Sequence, residues 1–158
     1  MRWEALTASP EHSPGPVKDN EELRRSFIWP THFETEDEPS PGAFADLWSH
    51  GLSVDRALYR GVEQSQEDAK IRVDQWNADN PDKPQRKLHA LATVQARDLR
   101  AVEVIGARAL VIFDTALAAN TSHADVCAIG ASTSTTKKDL RTTLWDLMRR
   151  GFVVLAAG

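Results

Sequence analysis

Three stretches of the 158-residue chain set chemically useful side chains at useful spacings. The first runs from Asp114 to Cys127. The apolar run Ala109 to Phe113 ends in Asp114, and a carboxylate at the carboxyl end of a rigid strand is where open sheets commonly set ligands. If residues 123–127 are extended, their period of two sends His123, Asp125 and Cys127 to one face. Asp114, His123 and Asp125 are therefore the candidate catalytic group, since an imidazole oriented by carboxylates suits general acid-base work or a divalent metal. The plainer alternative makes Asp114 a turn cap and Cys127 a small apolar residue. Cys127 is a poor nucleophile, because Val126 and Ala128 offer no electropositive setting.

The second stretch is Gly130-Ala131-Ser132-Thr133-Ser134-Thr135-Thr136-Lys137-Lys138, entering a helix. Its hydroxyls and lysines at a helix start suit a phosphate, so Ser132, Ser134, Lys137 and Lys138 are candidate ligand-binding residues. It is not a Walker loop, lacking the glycine directly before the lysine, and the same Ser/Thr run also serves as an ordinary N-cap. The third stretch, His50 to Arg56, reads either as a polar turn presenting Arg56 to an anion or as a helix start capped at Ser53. The acidic loop 34–38, with His32 nearby, suits a hard cation less well than plain solvation.

Leu58-Tyr59-Arg60-Gly61 and Ser132-Thr133-Ser134 resemble the arginine and Ser-Thr-Ser motifs of Arg-Ser-Glu ADP-ribosyltransferases. That family needs a catalytic glutamate downstream, and the last glutamate here is Glu103, so the resemblance assigns no role.

The positioning elements follow from periodicity. Val62, Gln66, Ala69, Val73 and Trp76 line one stripe of a helix over 62–77, stopped by the Asn- and Pro-rich segment 77–84. Shorter helices are expected over 43–49, 96–102 and 138–149. Ser26–Trp29, Leu88–Val94, Ala124–Ile129 and Phe152–Leu155 read as strands. Arg108–Asp114, apolar on both faces, is expected in mid-sheet.

Composition narrows the function classes. A single cysteine, Cys127, excludes an intrachain disulfide and any multi-cysteine metal cage, and points to a reducing, cytoplasmic compartment. Fully apolar runs such as Ala109–Phe113 and Phe152–Ala157 are far below the roughly 18 residues of a membrane helix. Net charge is −4, but residues 1–82 carry 17 acids and 8 bases while residues 83–158 carry 6 acids and 11 bases. A uniformly basic nucleic-acid binder is thereby excluded, whereas a phosphate-attracting second half is not.

Together these readings give an α+β domain over 23–158, with a mixed sheet of about five strands and three to four helices, after a flexible, acidic, Pro-rich arm over 1–22. The expected function is binding of a phosphate-bearing ligand, a nucleotide or nucleic acid, with a hydrolytic or metal-assisted centre at Asp114, His123 and Asp125. The alternative is a non-catalytic module that uses its charge split for a protein partner or self-association. No pattern specifies a cofactor.

Overall fold

The computed structural model describes Glu4, residues 9–130 and residues 132–156. The chain runs through β1 (Glu22–Trp29), β2 (Phe33–Thr35), β3 (Glu38–Pro39), a 3-10 segment (Pro41–Trp48), β4 (Leu52–Arg56), α1 (Val62–Asp79) and β5 (Lys87–Gln95). It continues through α2 (Ala96–Arg100), β6 (Glu103–Val104), β7 (Ala107–Arg108), β8 (Leu110–Asp114), β9 (His123–Ala128), α3 (Ser134–Met148), a 3-10 turn (Arg149–Gly151) and β10 (Phe152–Val154). The fold class is α+β.

Six strands form one sheet in the order β10-β5-β1-β4-β9-β8, and β2-β3 and β6-β7 are small separate pairs. Every pairing is antiparallel, where a mixed sheet of about five strands was expected. The run that reads as a mid-sheet strand is β8, at the end of the sheet. Both its faces are covered, which explains its apolar pattern, and its open edge is occupied by Glu4, whose Oε1 accepts from the Ile112 N–H at 2.8 Å. Residues 53–56, read as a turn or helix start, are instead strand β4. The alternation of buried Leu52 and Val54 with exposed Ser53 accounts for this.

The sheet divides the molecule. One face buries Leu23, Phe27, Val54, Ala92, Ile112 and Val126 against Phe44 and Leu47, against Leu99 of α2, and against Leu140, Leu144 and Met148 of α3. Phe27 sits at the centre of that core, edge-on to Phe44, Trp145 and Phe152 at ring distances of 6.2, 6.2 and 5.4 Å. The opposite face is covered only in part, by α1, which buries Ala69 and Val73. The rest of that face, over β4 and β9, is the floor of a cleft.

Residues 9–22, expected to form an arm, lie against the domain in the structure. Val17 is buried, Arg56 donates to the Gly15 carbonyl at 2.6 Å, and Arg100 donates to the Val17 carbonyl at 2.8 Å. The rest of that expected arm, residues 1–3 and 5–8, lies outside the described residues.

Candidate functional site

Strand alternation decides which charges meet. In β8 and β9, Asp114 stands opposite Ala124, while Phe113 stands opposite Asp125. Asp114 therefore points into the packed core and His123 and Asp125 to the other face, so the three expected catalytic residues do not converge. Asp114 is fully buried, accepts from the Ser13 hydroxyl, and lies 3.6 Å from the Arg56 guanidinium.

Arg56 is fully buried as well, and its charge is already answered. Its Nε and one terminal nitrogen each donate to Glu21 at 2.7 Å, a two-pronged pairing that suits the planar guanidinium. The other terminal nitrogen takes the Gly15 carbonyl. Burial alone would raise the Glu21 carboxyl, but the bonds from Arg56 and from the Lys18 N–H hold it below the ordinary range. Arg56 is thus a core ion pair on the face away from the cleft.

The Ser/Thr run does capping work. The Thr133 hydroxyl accepts from the Thr136 N–H, and Thr136 is buried, while Ser132 and Ser134 are exposed. The Lys137 ammonium lies 5.3 Å from the Trp48 ring centre, and Lys138 is exposed. This helix start belongs to α3, on the core side of the sheet, and none of these four residues lines the cleft.

The cleft, of about 650 Å³, lies between α1 and the open sheet face. Five arginines line it: Arg24, Arg25, Arg60, Arg72 and Arg86. Three aspartates answer them: Asp46, Asp55 and Asp68. Two of the arginines are spoken for by structure, since Arg24 bridges the Arg60 carbonyl and the Ser65 hydroxyl, and Arg60 is paired with Asp68. Arg86 is stacked 3.4 Å over the Trp76 ring, with its backbone clamped by Asn77. Arg72 is exposed and has no partner among the described residues.

Arg25 is the unusual one. Beyond Arg24 the strands β1 and β4 no longer pair, and the Arg25 side chain fills that fork, donating to the Ser53 and Ala43 carbonyls at 3.0 and 3.4 Å. It is 8% exposed, and among the described residues it has no carboxylate within ion-pair distance and its Nε has no partner. Burial lowers its pKa to about 10, an effect that Asp46 and Asp125 offset only in part and that Arg72 deepens.

His32 closes the same end. Its Nδ1 accepts from the Ile28 N–H at 3.1 Å, and burial, with Arg25 and Arg86 nearby, lowers its pKa to about 3. A neutral imidazole with one nitrogen occupied does not suit the cation site suggested by the acidic loop. No group of three His, Cys, Asp or Glu side chains among the described residues is placed to hold a metal ion.

On the same sheet face, in the cross-strand row that starts at Arg24, stands His123, with Asp125 and Thr115 beside it. The Thr115 hydroxyl donates to Asp125 Oδ2 and contacts His123 Nδ1, both at 2.8 Å. Asp55 lies opposite His123 in the ladder and accepts from the Asn120 amide at 2.8 Å. Gly51 makes room for this corner: it has a φ of +92°, and a Cβ there would stand 2.6 Å from the Asp125 Cβ. On the same face, burial and the Asp125 charge push the Cys127 thiol upward, away from thiolate chemistry.

Of the polar residues gathered around the cleft, sequence reasoning singled out His123 and Asp125 and did not single out Arg25, Arg72, Asp55, Thr115 or Asn120 as site residues. One signal was available: Arg25 interrupts the alternation Leu23, Arg25, Phe27, which marks a charge sent inward. Comparison with known proteins gives no matching family model, no matching curated protein and no matching solved structure.

Proposed function

We propose that the domain binds a phosphate-bearing ligand, a nucleotide or a segment of nucleic acid, in the arginine-lined cleft. The observation that carries this reading is Arg25, a buried cation that among the described residues has no carboxylate in contact and one N–H unmet. A buried charge left unpaired is costly, and an anion seated against Arg25 and the free Arg72 would relieve that cost while gaining charge-assisted hydrogen bonds. The cleft volume lies in the range of small-ligand sites.

The charge split favours this reading over a dipolar docking surface. Basic residues of the second half are paired with acids of the first within the fold, Arg100 with Asp19 and Glu4, and Arg108 with Glu4.

The test is isothermal titration with inorganic pyrophosphate at about 50 mM and about 500 mM salt. Binding is expected to weaken steeply with salt, and Arg72→Ala to raise Kd about tenfold or more, the loss of one charge-assisted hydrogen bond. Lys137→Ala/Lys138→Ala should leave Kd unchanged. A flat titration at low salt overturns the reading, and a loss confined to the lysine variant moves the ligand to the start of α3.

A further inference from the structure

We propose that this cleft also cleaves a phosphate ester, with His123 as its proton-transfer residue. The proposal rests on the anion reading above for the position of the ester, and on separate observations for the chemistry.

The hydrogen-bond network fixes how the imidazole is held. Because the Thr115 hydroxyl gives its proton to Asp125 Oδ2, its lone pairs face His123 Nδ1 at 2.8 Å, and the Thr115 carbonyl is a further acceptor at 3.3 Å. Both contacts call for a proton on Nδ1. Nε2 then carries the lone pair, and it has no partner among the described residues although His123 lines the cleft. An imidazole with one nitrogen tied to an acid-backed hydroxyl and the other free towards a cavity is arranged as a base.

The surroundings are built for the same purpose. Arg24 stands opposite Asp55 in the β1-β4 ladder, and Asp55 opposite His123 in the β4-β9 ladder, so cation, carboxylate and imidazole form one row on the cleft floor. Asn120 fixes Asp55 through Oδ1, and Oδ2 has no partner among the described residues, free to orient a water beside Nε2. Asn120 is itself held: its Oδ1 accepts from the Ser122 N–H at 3.1 Å and from the Ser122 hydroxyl at 2.5 Å.

The step balances with water as co-reactant. Nε2 takes a proton from water as the water oxygen bonds to phosphorus, and the P–O bond to the leaving group breaks with its electron pair. The arginines meet the charge on the non-bridging oxygens. The imidazolium then gives its proton to solvent, and the leaving group departs as an alkoxide or phenoxide that solvent protonates as its basicity requires.

The experiment measures release of p-nitrophenolate from bis(p-nitrophenyl) phosphate and from p-nitrophenyl phosphate by the full chain, alongside pyrophosphate titration of the same variants. Turnover of either ester is expected, and His123→Ala should lower kcat by about 10²- to 10⁴-fold while leaving pyrophosphate affinity unchanged. Added imidazole should restore part of that rate, which a merely structural role would not allow. Thr115→Val, which removes the hydroxyl that positions the ring, should lower kcat about tenfold with KM unchanged.

No turnover of either ester by a protein that binds pyrophosphate overturns the catalytic proposal alone. So does turnover that His123→Ala leaves intact. Turnover that depends on His123 in a protein that does not bind pyrophosphate supports the chemistry and sinks the anion reading.

Discussion

At the scale of single residues, the burial of neutral His32 carries a pH dependence. Its folded pKa, about 3, lies below the ordinary 6.5, chiefly through burial and then through Arg25 and Arg86. The unfolded chain therefore takes up this proton first as pH falls. Stability from this group is complete above about pH 6.5 and is lost progressively down to about pH 3. For one such proton the loss between pH 7 and pH 5 is about 2 kcal/mol. His32→Asn keeps an acceptor for the Ile28 N–H and removes the proton, so its urea midpoint should vary less over that interval. Equal pH dependence in the two proteins would show that His32 is not the group responsible. Glu4 and Glu21 act later. Burial would raise both, but their hydrogen bonds and arginine partners hold them below 4.5, so their contribution is lost only as pH falls beneath that value.

The same scale explains why the site was half legible. The period of two across 123–127 put His123 and Asp125 on one face without any structure. It could not say which face Asp114 takes, because that depends on the register Asp114 opposite Ala124. Arg56 and Arg25 look alike in sequence, yet one has Glu21 within reach and the other does not. Partners brought from 35 or 100 residues away leave no local trace.

At the scale of elements, periodicity located α1, β5, β9 and β10 to within a few residues. It placed β8 in the wrong position of the sheet because an apolar run reports covered faces, not paired edges. It missed the first half of β1, where Leu23, Arg24 and Arg25 mix charge with apolar residues, and it read β4 as a turn or a helix start because Ser53 and Asp55 suit caps as well as exposed or cleft-facing strand positions.

Gly151 is where element packing is tightest. A Cβ there would lie 2.2 Å from the Thr93 carbonyl oxygen on β5, and backbone cannot give way as a side-chain tip can. Gly151→Ala should cost about 3 kcal/mol by pushing β10 from β5, and should alter the near-ultraviolet dichroism of Trp145, which packs edge-on to Phe152 at 5.1 Å. Gly61, the N-cap of α1, has open space around its Cβ position, so Gly61→Ser should change stability by no more than about 0.5 kcal/mol. Similar thermal midpoints for the two variants would refute the packing argument.

At the scale of the whole molecule, the N-terminal segment is the wall behind the core ion pairs. Removing residues 1–20 would take away the Gly15 and Val17 carbonyls, the Ser13 hydroxyl and Glu4, leaving buried Arg56 and Asp114 and the partly buried Arg100 and Arg108 short of partners. Unmet buried charge is costly, so this truncation should lower stability by more than about 3 kcal/mol. Denaturant unfolding of the shortened chain measures it. Unchanged stability with tighter pyrophosphate binding would instead make the segment a removable cover.

The order β10-β5-β1-β4-β9-β8 has a kinetic side. Among neighbouring strands of this six-stranded sheet, only β8 and β9 are joined by a short connection. Leu23 must find Val94, Leu52 must find Val126, and Phe152 must find Ala92. Each closure spends chain entropy before the shared core around Phe27 returns any stability, which puts the domain among slow, non-local folders. The sheet has little to gain from assembling in parts, and the cleft exists only once strands from both ends of the sequence have met.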